Sequence, residues 1–385
     1  MADRIDPQRL LRPHTPGSYP RAIAAAAPPS TMRAVTTRLE ATALDTSPAI
    51  IRAKAPLRIS FGGGGTDVSP YYEERGGVVL SMTVDKYAYA TIMPRDDERI
   101  VIRSIDLDST VELSTGEEPL YDGNLDLVKA AIKRFGARFG FSLLLHCDVP
   151  PGSGLGSSAT MTTALIGALK HWFRCNLADY QVAELAYQVE RVELGIKGGK
   201  QDQYASVFGG LNLIEFYADR TVVNPLRLKP AILNELEYRT LLCYTGRSRV
   251  SGEIIEDQVA RYTQKTGDIV EALDRTKALA YAMKDALLLG ELDEFGHLLR
   301  EAWEAKRKFS PKIALPYIDE MYETALRHGA IGGKLLGAGG GGHILFFCAH
   351  NRRLDVIDAL TKAGGTVTPF AFEFIGLQTW EVDRR

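Results

Sequence analysis

The chain has 385 residues, 45% of them hydrophobic and 24% charged, which is the make-up of a folded globular protein and excludes disorder over most of its length. Lys and Arg number 46 against 48 Asp and Glu, a net charge of −2, so no global field draws it to nucleic acid or an anionic membrane. Cys147, Cys175, Cys243 and Cys348 lack zinc or redox spacing and no apolar run reaches the ~20 residues of a membrane span, so a cytoplasmic, metal-cluster-free protein is expected.

Residues 1–49 hold seven prolines, an alanine run at 24–27 and few large apolar side chains, and read as a flexible N-terminal extension. From Ile50 the texture becomes β. Ile50–Phe61 and Gly77–Met93 read as strands, and Ile100–Leu113 alternates apolar with polar residues. Helical spacing over Asp126–Phe139 gives way to a strand at Phe141–Val149. Helices follow at Ser157–Phe173 and Ala178–Leu194, then strands at Leu211–Phe216 and Tyr238–Tyr244. Helical periodicity dominates from Glu253 to His328. A glycine loop at 332–342, a strand His343–Cys348, a helix Arg353–Ala363 and a strand Thr366–Phe374 complete the chain. The expected organisation is α+β: a first domain over 50–240 and a second, of helices on an antiparallel sheet, over 241–385.

Between the strand ending at Val149 and the helix starting at Ser157 stands Pro150-Pro151-Gly152-Ser153-Gly154-Leu155-Gly156-Ser157-Ser158-Ala159. Glycines let backbone N–H groups converge on an anion, and the helix adds free N–H groups and its positive dipole end. No Lys precedes the serines, so this is not a Walker loop. A second segment, Arg58 to Gly64-Gly65-Thr66-Asp67, puts an arginine and an aspartate beside a four-glycine run and suits a polar, hydroxylated substrate. Gly337, Gly339 and Gly342 satisfy GxGxxG, but the run opens a strand rather than a helix, which argues against a dinucleotide site. Finally, Glu190 near a helix end and Asp202 in a polar loop offer two carboxylates for separate roles, one on a metal and one near a reacting hydroxyl.

In this order these segments resemble the GHMP kinases, the superfamily of galactokinase, homoserine kinase and mevalonate kinase, over about residues 50–385. The stretch 150–159 is similar to that family's ATP-phosphate motif nearly letter for letter. Within the superfamily, Arg58–Asp67 and Gly198–Ala205 resemble the D-glycero-D-manno-heptose 7-phosphate kinases.

The resemblance implies an ATP- and Mg²⁺-dependent sugar kinase acting on the anomeric hydroxyl of a sugar phosphate, on the route to nucleotide-activated heptose. Gly152, Ser153, Gly154, Leu155, Gly156, Ser157 and Ser158 would hold ATP, and Ser158 and Glu190 the Mg²⁺. Asp202 and Arg58 would be catalytic, and Gly64, Gly65, Thr66, Asp67, Gly339 and Gly340 would meet the substrate. Arg247, Arg249, Lys200 and Lys334 are the cations available for a sugar phosphate. It further implies a left-handed crossover in the first domain, a ferredoxin-like second domain and, by family habit, a homodimer. Galactokinases have Glu-His where this chain has Gly64-Gly65, which speaks against galactose. A related kinase of fucose or another unphosphorylated sugar is the alternative. A non-catalytic sugar and nucleotide sensor is disfavoured because Asp202, Glu190 and Ser158 are all present.

Overall fold

Every second side chain of a strand faces the same layer, and Ile51, Ala53, Ala55, Leu57 and Ile59 are accordingly all buried along β1 (Ile50–Gly62). The computed structural model describes residues 49–247 and 252–382, so residues 1–48 of the extension and Arg249 lie outside it. After the short α1 (Tyr71–Arg75) comes β2 (Gly77–Pro94), antiparallel to β1. The Ile100–Leu113 segment is a hairpin, β3 (Arg99–Ser104) and β4 (Ser109–Ser114). Next, α2 (Asp126–Phe135) stops short of Phe139 because Gly136 adopts φ +60° and caps it. Then β5 (Phe141–Cys147) runs parallel to β3 and antiparallel to β2.

The expected helix at Ser157 is α3 (Ser157–Trp172), and the next divides into α4 (Asp179–Tyr187) and a π-helical turn, Gln188–Glu193. A further helix, α5 (Gln201–Phe208), was not expected, nor was β7 (Thr221–Pro225), which pairs with β6 (Leu211–Phe216). With the chain's last described strand, β12 (Gln378–Val382), at its edge, the first sheet has the order β12-β1-β2-β5-β3-β4, with β6 and β7 branching from the first half of β2.

A helix, α6 (Pro230–Arg239), occupies the start of the strand expected from Tyr238, and β8 begins at Thr240 and ends at Tyr244. The long helical stretch resolves into α7 (Gly252–Thr263), α8 (Ile269–Leu289), α9 (Leu292–Arg307) and α10 (Pro316–Arg327). Gly290 at φ +79° ends α8, and Pro316 opens α10. The first four residues of the glycine segment expected as a loop, 332–335, belong to strand β9 (Ala330–Leu335), and β10 (His343–Cys348) returns beside it. Only glycine fits there, since a Cβ on Gly332 would lie 2.1 Å from the Gly296 carbonyl oxygen. The loop Leu336–Gly342 therefore joins two antiparallel strands, rather than following a helix.

The last helix is α11 (Arg353–Lys362). The strand expected over Thr366–Phe374 is confined to β11 (Thr366–Thr368), and a further strand, β12 (Gln378–Val382), pairs with β1. The second sheet, β11-β8-β10-β9, is wholly antiparallel, in a split β-α-β order. Because β12 belongs to the first sheet, the chain crosses to the second sheet and comes back within 241–385. An edge-to-face series of Phe61, Phe295 and Phe347, with centroids 5.3 and 5.5 Å apart, ties β1 through α9 to β10.

Candidate active site

Gly152, Gly154 and Gly156 take φ of 75°, 83° and 81°, values that favour glycine, so the chain turns at every second residue before α3. Between them Ser153 and Leu155 face inward and are fully buried. The Ser153 carbonyl accepts both the backbone N–H and the Nδ1 side of His343, at 3.0 and 2.8 Å, so His343 braces the loop from behind. Gly156 is the N-cap of α3, and the N–H groups of its first turn have no helical acceptor. Gly152, Gly154, Gly156, Ser157 and Ser158 line a cavity between the two sheets, whereas Ser153 and Leu155 support them from the core.

Two charge-assisted pairs lie in that cavity. Arg58, 3% exposed on β1, donates from Nε to Asp202 Oδ1 at 2.7 Å and from Nη1 to the Gly154 carbonyl at 2.7 Å. One guanidinium thus joins the glycine loop to the carboxylate in the first turn of α5. Gly156 is needed close by, since a Cβ there would stand 3.2 Å from Asp202 Cγ. In the second pair, Ser158 Oγ donates to Glu190 Oε1 at 2.7 Å. The π-helical turn carries Glu190 fully into the interior, where Gln203 Nε2 donates to its other oxygen at 2.8 Å.

The loop after β1 is held by Thr66, whose hydroxyl donates to the Gly63 and Val78 carbonyls and accepts the Val78 N–H. Thr66 is fully buried and does not line the cavity, contrary to its expected substrate contact. Gly64, Gly65 and Asp67 do line it. The Asp67 carboxylate accepts the N–H groups of Gly65 and Gln201, at 3.0 and 3.1 Å, and burial together with the nearby Asp202 charge raises its pKa. On the far loop Gly339 lines the cavity, but Gly340 sits behind it, its N–H on the Ile313 carbonyl and its own carbonyl accepting Tyr317 Oη.

Of the candidate cations among the described residues, only Lys334 lines the cavity. Lys200 lies over the ring of Tyr187, 4.5 Å from its centroid, beside Glu184, and Arg247 stacks on Tyr317. A residue missed from the sequence is Lys306 of α9, buried and lining the cavity. Its Nζ donates to the carbonyls of Leu335 and Gly337 at 2.8 and 2.5 Å, while Lys334 Nζ donates to the Phe61 carbonyl at 3.2 Å. Burial and the Arg58 charge bring the Lys334 pKa down to about 7, and burial with the Lys334 charge puts Lys306 well below its ordinary value. Also missed were Ser60 and Gln201, whose Oγ and Oε1 are buried in the lining with no partner. Among the described residues no helix is long and apolar enough to cross a membrane.

The geometry combines a helix-end anion site, a hydroxyl–carboxylate pair and an arginine-held aspartate in one cavity. Known proteins resemble the chain in sequence and in fold. Residues 126–210 match the GHMP kinases N terminal domain, and residues 283–366 match the GHMP kinases C terminal domain. D-glycero-alpha-D-manno-heptose 7-phosphate kinase of Campylobacter jejuni is 37% identical over 338 residues, covering 86% of this chain and 99% of the relative. The bifunctional fucokinase/GDP-fucose pyrophosphorylase of Arabidopsis thaliana is 29% identical, over 76% of this chain and 29% of that protein. Among solved structures, a D-glycero-D-manno-heptose 1-phosphate kinase from Bacteroides thetaiotaomicron superposes with a TM-score of 0.73 at 35% identity, over 87% of this chain and all of that one. With this site, this fold and a relative matched almost end to end, the chain belongs to the GHMP kinases.

Proposed function

We propose that the protein transfers the γ-phosphoryl group of ATP to the anomeric hydroxyl of D-glycero-D-manno-heptose 7-phosphate, giving the 1,7-bisphosphate. The observation that carries this reading is the Arg58–Asp202 pair set against the N-terminus of α3 in one cavity. The C. jejuni relative supports the choice of sugar. Free N–H groups of the glycine loop and α3 hold the ATP phosphates. Leu120, Val192 and Ile196 leave apolar surface exposed near the π-helical turn, where Tyr121 Oη donates to Glu193 at 2.5 Å, and this surface suits the purine.

Ser158 and Glu190 present hard oxygen donors 2.7 Å apart, with a single negative charge, and fit Mg²⁺, which favours such ligands and retains waters. When bound, Mg²⁺ neutralises charge on the phosphate oxygens. Asp202 accepts the hydrogen bond of the anomeric hydroxyl, orients it, and takes its proton as the oxygen–phosphorus bond forms and ADP departs. Arg58 fixes the Asp202 carboxylate and offsets charge on the transferred group. Buried, unpartnered Ser60 Oγ and Gln201 Oε1 beside Asp67 suit the hydroxyls of a sugar.

The test is ADP release with Mg²⁺ and ATP over heptose 7-phosphate, mannose 6-phosphate, fucose, galactose and mevalonate, with ³¹P NMR of the product. A new anomeric phosphate beside an intact 7-phosphate is expected. The NMR also decides between the positions implied by the names of the two heptose kinase relatives. Turnover of fucose alone would move the function to the alternative that the Arabidopsis relative supports.

A further inference from the structure

Lys306 and Lys334 are both more than nine-tenths buried, both line the cavity, and neither has a carboxylate within 4 Å among the described residues. A buried ammonium group without a counter-ion is costly, and two close enough to repel one another are more so. Arg58 offers no relief, being a cation itself. Its partner Asp202 is committed to it. The Asp67 charge favours both ammonium groups, but its carboxylate is hydrogen-bonded to Gly65 and Gln201 and forms an ion pair with neither lysine.

An ammonium has three N–H donors. Lys306 uses two on carbonyls, leaving one, and Lys334 uses one, leaving two. We propose that these three donors form the seat for the phosphate that the sugar itself carries, making Lys306 and Lys334 the residues that separate a phosphorylated acceptor from an unphosphorylated one. This rests on the reading of the chain as a sugar-phosphate kinase.

The placement favours the sugar's phosphate over those of ATP. The nucleotide phosphates have the glycine loop and the end of α3, both built on the first sheet. The lysines come from α9 and β9. Lys334 is anchored to the carbonyl of Phe61, three residues before the Gly64–Asp67 segment expected to meet the sugar. A phosphate dianion also explains how two lysines held below their ordinary pKa values would be fully charged in the working complex, since its binding would restore their protons.

The experiment compares kcat/KM for heptose 7-phosphate and for unphosphorylated heptose in the wild type, Lys306→Met, Lys334→Met and Lys306→Arg. A charge-assisted contact to phosphate lost from the seat lowers the preference for the phosphorylated sugar roughly 10- to 100-fold in each Met variant, and Lys306→Arg recovers most of it. Equal losses on both sugars, or a loss appearing in the KM for ATP, overturn the proposal. Since Lys306 also ties the Leu335 and Gly337 carbonyls, thermal melting is followed in parallel. If Lys306→Met melts early, Lys334→Met, with a single carbonyl contact, decides alone. A wild type that turns over only the unphosphorylated sugar refutes the substrate reading itself. That result is distinct from a phosphate-selective wild type whose variants keep their selectivity.

Discussion

The two walls of the cavity handle charge in opposite ways. On the wall from the first sheet the buried ionisable groups have partners: Arg58 with Asp202, Asp67 with the N–H groups of Gly65 and Gln201, and Glu190 with Ser158, Gln203 and Arg191. On the wall from the second sheet Lys306 and Lys334 meet only carbonyls. Paired charges are held in one geometry and serve positioning. Unpaired buried cations await an anion, and their partner has to be brought in by a ligand.

The sharpest way to break the contrast is Asp202→Asn, which leaves Arg58 without its carboxylate and removes the proton acceptor. A fall in kcat of roughly 10²- to 10⁴-fold, with the melting transition retained, is expected in a coupled ADP assay; unchanged turnover would show that Asp202 serves Arg58 and not the reaction. Next in size, Glu190→Gln takes away the one charge of the Ser158–Glu190 pair. The Mg²⁺ concentration for half-maximal activity should rise roughly tenfold, and an unaltered Mg²⁺ titration would separate this pair from the metal.

The unpaired wall makes a prediction about pH. Lys334, facing Lys306, Arg58 and Asp67, has a folded pKa of about 7, below the ordinary 10.5 that it has when unfolded. Between those values the unfolded chain binds a proton that the folded chain does not, so raising the pH favours folding, by at most about 1.4 kcal/mol per unit. Denaturant titrations at pH 7 and 9 without ligand should show this gain in the wild type and a smaller one in Lys334→Met. Smallest is Gly154→Ala, where φ is +83° and the new Cβ would stand 3.1 Å from the Leu336 carbonyl oxygen. A loss of about 1 kcal/mol in stability with a raised KM for ATP is expected; wild-type values for both would show that the loop tolerates a Cβ.

The glycine loop was legible in the sequence because Gly152, Gly154 and Gly156 carry their meaning locally, in φ and in the helix that follows. Arg58 and Asp202 were nameable from the resemblance, but their direct contact joins positions far apart in the chain and no local pattern encodes it. Lys306 stood in Ala-Lys-Arg-Lys, a run that reads as a solvated helix face. Only the packing of α9 on β9 turns one of its three cations inward. The missed α5 is eight residues long and preceded by Gly198-Gly199, so its turn composition outweighed its periodicity. The reverse error at Gly332 and Gly333 has the same origin: their composition reads as a loop, whereas they lie in a strand whose neighbouring backbones leave room for nothing larger than glycine.

The pairing of β12 with β1, with Ile50 opposite Val382, also sets an order in time. During synthesis β1 emerges before the strands of the second sheet and β12 after them, so one edge of the strand that bears Arg58 keeps unpaired backbone groups until every element between the two has been made. The first sheet is completed only after the strands of the second have been made, and the nascent chain carries an open template for strand addition until β12 emerges.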